Sequence, residues 1–141
     1  MSNDTFTKIG KTQKILFGPR AVLVCGYSSE DQQAIMEYIK MLKIEAISVI
    51  FATTQNAGTQ LKALLSQPDQ TGRDMPSNMD PAIILSGVAE KELHLIISSF
   101  KTTGLSRPLW ATLTPISQNW PLAALIAELK KESAAMEARK K

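Results

Sequence analysis

The chain has 141 residues, 44% of them hydrophobic and 21% charged, with a formal net charge of +3. That profile fits one soluble globular domain with a core of its own and excludes a fibre or wholesale disorder. No apolar run approaches the roughly 20 residues that cross a bilayer, and the polar stretch Met1 to Lys14 lacks the apolar segment of a secretory signal, so a cytoplasmic protein without membrane association is expected.

The positive charge sits at the ends. Residues 1–20 and 129–141 hold 9 Lys and Arg against 3 Asp and Glu, whereas residues 21–128 hold 7 against 10. An acidic body with basic ends reads as solvated termini, and nucleic acid is disfavoured as a partner. The single Cys25 has no disulfide mate, and the single His94 leaves no cluster for zinc, so neither a metal nor another cofactor is expected.

Along the chain, residues 1–20 read as a flexible arm, with Ile15-Leu16-Phe17 as a short apolar anchor before Gly18-Pro19. Ala21 to Cys25 is a strand, continuous in apolar residues as a strand covered on both faces should be. Ser28 fits an N-cap, with Glu30 and Asp31 in the first turn of a helix whose stripe is Ile35, Ile39 and Leu42. Ala46 to Thr53 is a second strand, and about Thr59 to Ser66 a helix showing Leu61, Leu64 and Leu65 to the core. Gln67 to Pro81, with three prolines and many turn formers, reads as a mobile surface linker that folding can spare.

A third strand follows at Ile83–Leu85, then a helix from Glu90 to Thr102 stopped by Gly104, a fourth strand at Leu109–Thr114, and a last helix capped by Asn119 with Pro121 in its first turn. His94 lies opposite the apolar face of Leu93, Ile96, Ile97 and Phe100 and should point to solvent. Leu122, Leu125, Ile126 and Leu129 mark the buried stripe of the last helix, and 133–141 reads as a basic tail.

Residues 21–67 align without a gap on 82–128, 61 positions on, with identities that include Gly26/Gly87, Thr53/Thr114 and Leu61/Leu122. The same order of elements occurs in both stretches. The expected fold is therefore α/β: two tandem βαβα repeats in a single domain over 21–132, forming one mainly parallel four-stranded sheet of order 2-1-3-4 with helices on both faces and a pseudo-twofold axis between strands 1 and 3. An antiparallel or ferredoxin-like arrangement is the alternative.

The runs Ala82-Ile-Ile-Leu-Ser-Gly87, Arg107-Pro-Leu-Trp-Ala111, Thr114-Pro115 and Asn119-Trp-Pro-Leu122 resemble an uncharacterised prokaryotic family, a domain of unknown function numbered thirty-seven eighty-three. The resemblance covers residues 82–132 and reaches the first half loosely through Val24-Cys-Gly-Tyr-Ser28. It implies a compact α/β domain and carries over no catalytic residue.

A parallel sheet would bind ligands beyond the carboxyl ends of its strands. Tyr27 and Ser28 would meet there with Thr54 and Asn56 from the turn after strand 2, and with Thr114, Gln118, Asn119 and Trp120 from the turn after strand 4. These neutral groups serve either as caps and turns, with Trp120 as a lid on the core, or as a surface for a neutral ligand or a protein. Glu30, Asp31, Glu90 and Glu92 occupy the helix starts that a phosphate would use. Ser28, Ser29 and Ser86 have no histidine for a triad. The leading expectation is a protein-interaction or regulatory module, with a protein partner or a homodimer. A sensor of a small neutral polar ligand at the strand ends is the alternative, and an enzyme the third.

Overall fold

Strands as apolar as Ala21–Cys25 and Ala82–Leu85 need cover on both faces, and the two sets of helices supply it. The computed structural model describes residues 14–75 and 77–140. Strands β1 (Ala21–Cys25), β2 (Ser48–Phe51), β3 (Ala82–Ser86) and β4 (Leu109–Thr112) form one sheet in the order β2-β1-β3-β4. Helices α1 (Ser29–Met41), α2 (Leu61–Leu65), α3 (Glu90–Ser99) and α4 (Leu122–Lys140) alternate with them, with 3₁₀ turns at Thr54–Asn56, Phe100–Thr103 and Ser117–Asn119.

Side chains on successive strand residues point to opposite faces. Leu23, Cys25, Ile50 and Ile84 thus join Leu61, Leu64, Leu122 and Ile126 in the layer under α2 and α4. Val22, Val24, Phe51 and Leu85 join Ile35, Tyr38, Ile96 and Phe100 in the layer under α1 and α3. Ser28 caps α1 as expected, its Oγ accepting from the Asp31 amide at 3.2 Å. Gly104 closes the turn after α3 in the left-handed conformation, with φ of +74°.

The expected order of strands holds, but the sheet is mixed. β1 and β2 are parallel, β3 and β4 are parallel, and β1 and β3 are antiparallel. Each helical crossover enforces a parallel pair inside its half; the join between halves carries no such crossover. After α2 the chain runs in the same direction as β2 along that strand's outer edge: the Gln70 amide donates to Val49 O at 2.7 Å and the Phe51 amide to Thr71 O at 2.8 Å. It therefore arrives at the carboxyl end of β1, and β3 starts there and runs back.

Within residues 67–81, expected as a mobile surface linker, Asp69 to Thr71 thus cover the edge of β2. Asp69 Oδ1 also accepts from the Val49 amide at 2.8 Å, and Gln32 Oε1 accepts from the Asp74 amide at 2.8 Å. At the other end, the arm expected over 1–20 is anchored where it is described. Leu16 N donates to Val88 O at 2.8 Å, Gly87 N to Phe17 O at 3.1 Å, and Glu90 N to Lys14 O at 2.9 Å. Residues 1–13 lie outside the described residues.

Pairings in the first half recur in the second 61 positions later. Ala21 faces Ser48 and Val24 faces Phe51 in one; Ala82 faces Leu109 and Leu85 faces Thr112 in the other. Across the middle, Leu23 faces Ile84, with the flanking pairs disposed evenly on either side. This is the pairing of an approximate twofold axis normal to the sheet. Gly26 and Gly87 show why glycine stands at both related positions: φ is +80° and +65°, and a Cβ would come within 2.5 Å of Met79 O and of Gly18 O respectively. Each half's strand lead-in presses on the other half's glycine.

Candidate functional site

Because β1 and β3 are antiparallel, the carboxyl ends of the strands do not gather at one pole. Tyr27, Ser28, Thr54 and Asn56 follow β1 and β2 at one end of the sheet, while Thr114 and Gln118 follow β4 at the opposite end. The eight expected site residues are not brought together, and most are spent locally. Tyr27 is buried, with its hydroxyl donating to Ser106 O at 2.5 Å and its ring 6.4 Å from Phe100, and burial raises its pKa. Ser28 is the cap of α1.

The two turns carry related locks. Asn56 Oδ1 accepts from the Thr53 amide at 2.8 Å, and Ser117 Oγ accepts from the Thr114 amide at 3.1 Å while the Ser117 amide donates to Thr114 Oγ1 at 2.9 Å. Thr54 is exposed, and Gln118 Nε2 donates to Pro115 O at 3.2 Å. Small polar residues at these spacings stabilise tight turns.

Asn119 and Trp120 return from the far end toward the middle. Asn119, expected to cap α4, instead ends the 3₁₀ turn, and its carbonyl accepts from Gln60 Nε2 at 3.2 Å. The position before the helix belongs to Pro121, whose carbonyl accepts from Leu125. Trp120 is half-buried and packs on the edge of the core layer under α2 and α4. The starts of α2 and α4 meet here. Leu61 N donates to Trp120 O, Leu122 N to Thr59 O, and Ala123 N to Ala57 O, at 3.0, 3.0 and 2.9 Å. Backbone groups that a lone helix leaves unpaired are satisfied by the other half.

Of the two residues with reactive side chains, Cys25 is fully buried and burial pushes its thiol up to about 12, so it stays protonated near neutrality. His94 is exposed, as expected. Among the described residues no group of three or more His, Cys, Asp and Glu is placed to hold a metal.

What the meeting of the helix starts does create is a groove of about 460 Å³ along α4. Ala57, Met79, Ala123, Ile126 and Ala127 line it, and Asp80, Lys130 and Lys131 stand at its mouth. Lys130 Nζ lies 3.1 Å from Asp80 Oδ2. The groove exists because Ala123 and Ala127, one turn apart on α4, are too small to fill the space beside Ile126. A search for caps and reactive groups passes over such a site; its signal is two alanines flanking an apolar stripe.

A second hollow, of about 580 Å³, is lined by Gly18, Arg20, Gly87, Ala89 and Glu92 among others. Two of its charged groups pair with each other: Arg20 Nη1 and Nη2 donate to Glu92 Oε1 and Oε2, both at 2.7 Å.

Residues 81–136 match the model of a family described as a domain of unknown function (DUF3783). The second half is similar to that family. The DUF3783 match takes in β3, α3, β4 and most of α4, and so includes the α4 wall of the groove but not Ala57 or Met79. No curated protein matches the chain, and no solved structure matches it. Among the described residues no helix is long and apolar enough to cross a membrane.

Proposed function

We propose that this chain is a non-catalytic protein-interaction module of the cytoplasm, built as a tandem duplication of a βαβα unit, and that its docking surface is the groove along α4. The gapless offset of 61 in both sequence and strand pairing supports the duplication. The groove itself carries the functional reading: an apolar floor of small side chains, open to solvent, with Lys131 free of any ion pair among the described residues. Such a surface suits a large apolar side chain from a partner segment whose flanking residues are acidic.

Panning a library of displayed helical peptides on the full chain tests this reading. Recovered sequences are expected to place a large apolar residue near Asp or Glu. Binding should be lost in Ala127→Trp, which fills the groove from an exposed helix position, while the melting transition stays where it was. No enrichment, or enrichment indifferent to Ala127→Trp, would reject the groove as the docking surface.

A further inference from the structure

The two halves fill the space beside their first helices differently. In the second half the Trp110 ring stands edge-on to Phe100, with centroids 5.4 Å apart and planes at 88°, and packs on the layer under α1 and α3. The positions 61 earlier hold Val49 and Ile39, both smaller. There a hollow of about 310 Å³ opens between α1 and β2, with Ile39, Ile44, Ile47 and Val49 as an apolar floor. Leu105 and Pro108 stand where Ile44 and Ile47 do, so the bulk is lost at the aromatic pair.

Asp69, Gln70 and Arg73 make the outer wall of this hollow. The wall is fixed to its floor: Asp69 Oδ1 accepts from the Val49 amide at 2.8 Å, and the Gln70 amide donates to Val49 O at 2.7 Å. Arg73 Nη1 donates to Gln70 Oε1 at 2.7 Å, while its Nε is buried with no partner among the described residues. Around the hollow, Glu37 and Asp69 balance Lys40 and Arg73.

We propose that this hollow binds a small planar aromatic molecule that carries an uncharged acceptor, such as a ring carbonyl. The ring takes the place that Trp110 fills in the second half, against Val49 and Ile39, and the acceptor receives a hydrogen bond from Arg73 Nε. Sites for small molecules begin at about 300 Å³, are mostly apolar and carry a few placed polar groups, and this one has that size and lining. A buried donor without a partner favours an acceptor over bare hydrocarbon. An anion would face Glu37 and Asp69, and a cation Lys40 and Arg73, which leaves a neutral ligand as the fit. The site belongs to the layer under α1, across the sheet from the α4 groove, and does not depend on it.

Chemical-shift perturbation of the full chain by oxindole, indole and pyrrolidinone tests it. Oxindole has both a fused aromatic ring and a carbonyl; indole lacks the carbonyl, and pyrrolidinone the aromatic ring. Oxindole is expected to move the amides of Ile39, Ile44, Val49 and Arg73, indole to bind there about tenfold more weakly, and pyrrolidinone not to bind. Arg73→Met, which keeps the stem and removes the donor, should bring oxindole down to the affinity of indole, and Ala127→Trp should change neither. Val49→Trp, which gives the first half the ring of the second, should abolish binding of both; should it not fold, the Arg73→Met comparison decides. Absence of oxindole shifts at these residues, equal affinity for oxindole and indole in the parent, or unaltered oxindole binding in Arg73→Met or in a folded Val49→Trp would each overturn the assignment.

Discussion

Glu92 is bonded from two segments of the chain. Arg20 donates to both of its oxygens, and the Ala89 amide donates to Oε1 at 2.9 Å, so one carboxylate locks the first turn of α3 and ties down the residue that leads into β1. Arg20 in turn donates through Nε and Nη2 to Glu45 O, at 3.1 and 2.9 Å, and so joins the loop before β2 to the same point. The hydrogen bonds from Arg20 hold Glu92 below its ordinary 4.5, and the same bonds raise Arg20. A carboxylate whose pKa is lower folded than unfolded stabilises the fold above the unfolded value, and that contribution is lost as the pH falls through the folded one. Glu92→Gln is therefore expected to cost about 1–2 kcal/mol near neutrality and to narrow toward the parent as the pH drops below 4.5. Denaturant midpoints of both proteins between acid and neutral pH measure this; parallel pH profiles would refute it. In the sequence, Arg20 is merely the last residue of an arm and Glu92 an acidic residue in a first turn. Their pairing spans 72 positions, and no local pattern encodes it.

Among the elements, those with a strong period are the ones that sequence reading places well: the buried stripe Ile35 and Ile39 of α1, the Leu61, Leu64 and Leu65 cluster of α2, and the continuous apolar runs of β1 and β3 all fall where the spacing puts them. Segments without a period are harder to read, because backbone bonding contributes to their order. Residues 67–75 have polar side chains, and what fixes them is the outward row of groups on β2. Gln70 carries the key donor at a φ of +69°, a conformation closed to proline. Gln70→Pro is thus expected to free this edge and cost about 2–3 kcal/mol in denaturant melting, and the exposed edge should make the variant self-associate in sedimentation. A variant as stable and as monodisperse as the parent would return the segment to the status of a passive linker. The same logic explains Asn119: its side chain resembles a cap in sequence, but the amides at the start of α4 already have partners in Ala57 and Thr59.

At the scale of the whole molecule, the direction of β3 is what the sequence hid. Both halves read as βαβα, and a parallel sheet is the simplest way to add them; the route of residues 67–81 decides otherwise, and it splits the strand ends that a shared binding pole would need. Several central contacts have a counterpart 61 positions away: Leu23 against Ile84, Gln60 against Pro121, Gly26 under Met79 and Gly87 under Gly18. Neither half can bury both faces and both edges of its two strands alone. A fragment of residues 75–141, which contains the segment similar to DUF3783, should therefore recover the missing half from a second copy. β3 would pair antiparallel with its own mate about Ile84, Ile83 would face Leu85, and the Leu122 amide would find the carbonyl of the mate's Trp120 as Leu61 finds that of Trp120 in the intact chain. All of these positions hold apolar or small residues in β1 as in β3, so the substitution is sterically conservative. Sedimentation equilibrium of the fragment is expected to give a dimer with helix and strand signals in circular dichroism that disappear together on dilution. A folded monomer would show that half the sheet is self-sufficient, and an unfolded chain at all concentrations would show that β1 and β3 are not interchangeable at the central pairing.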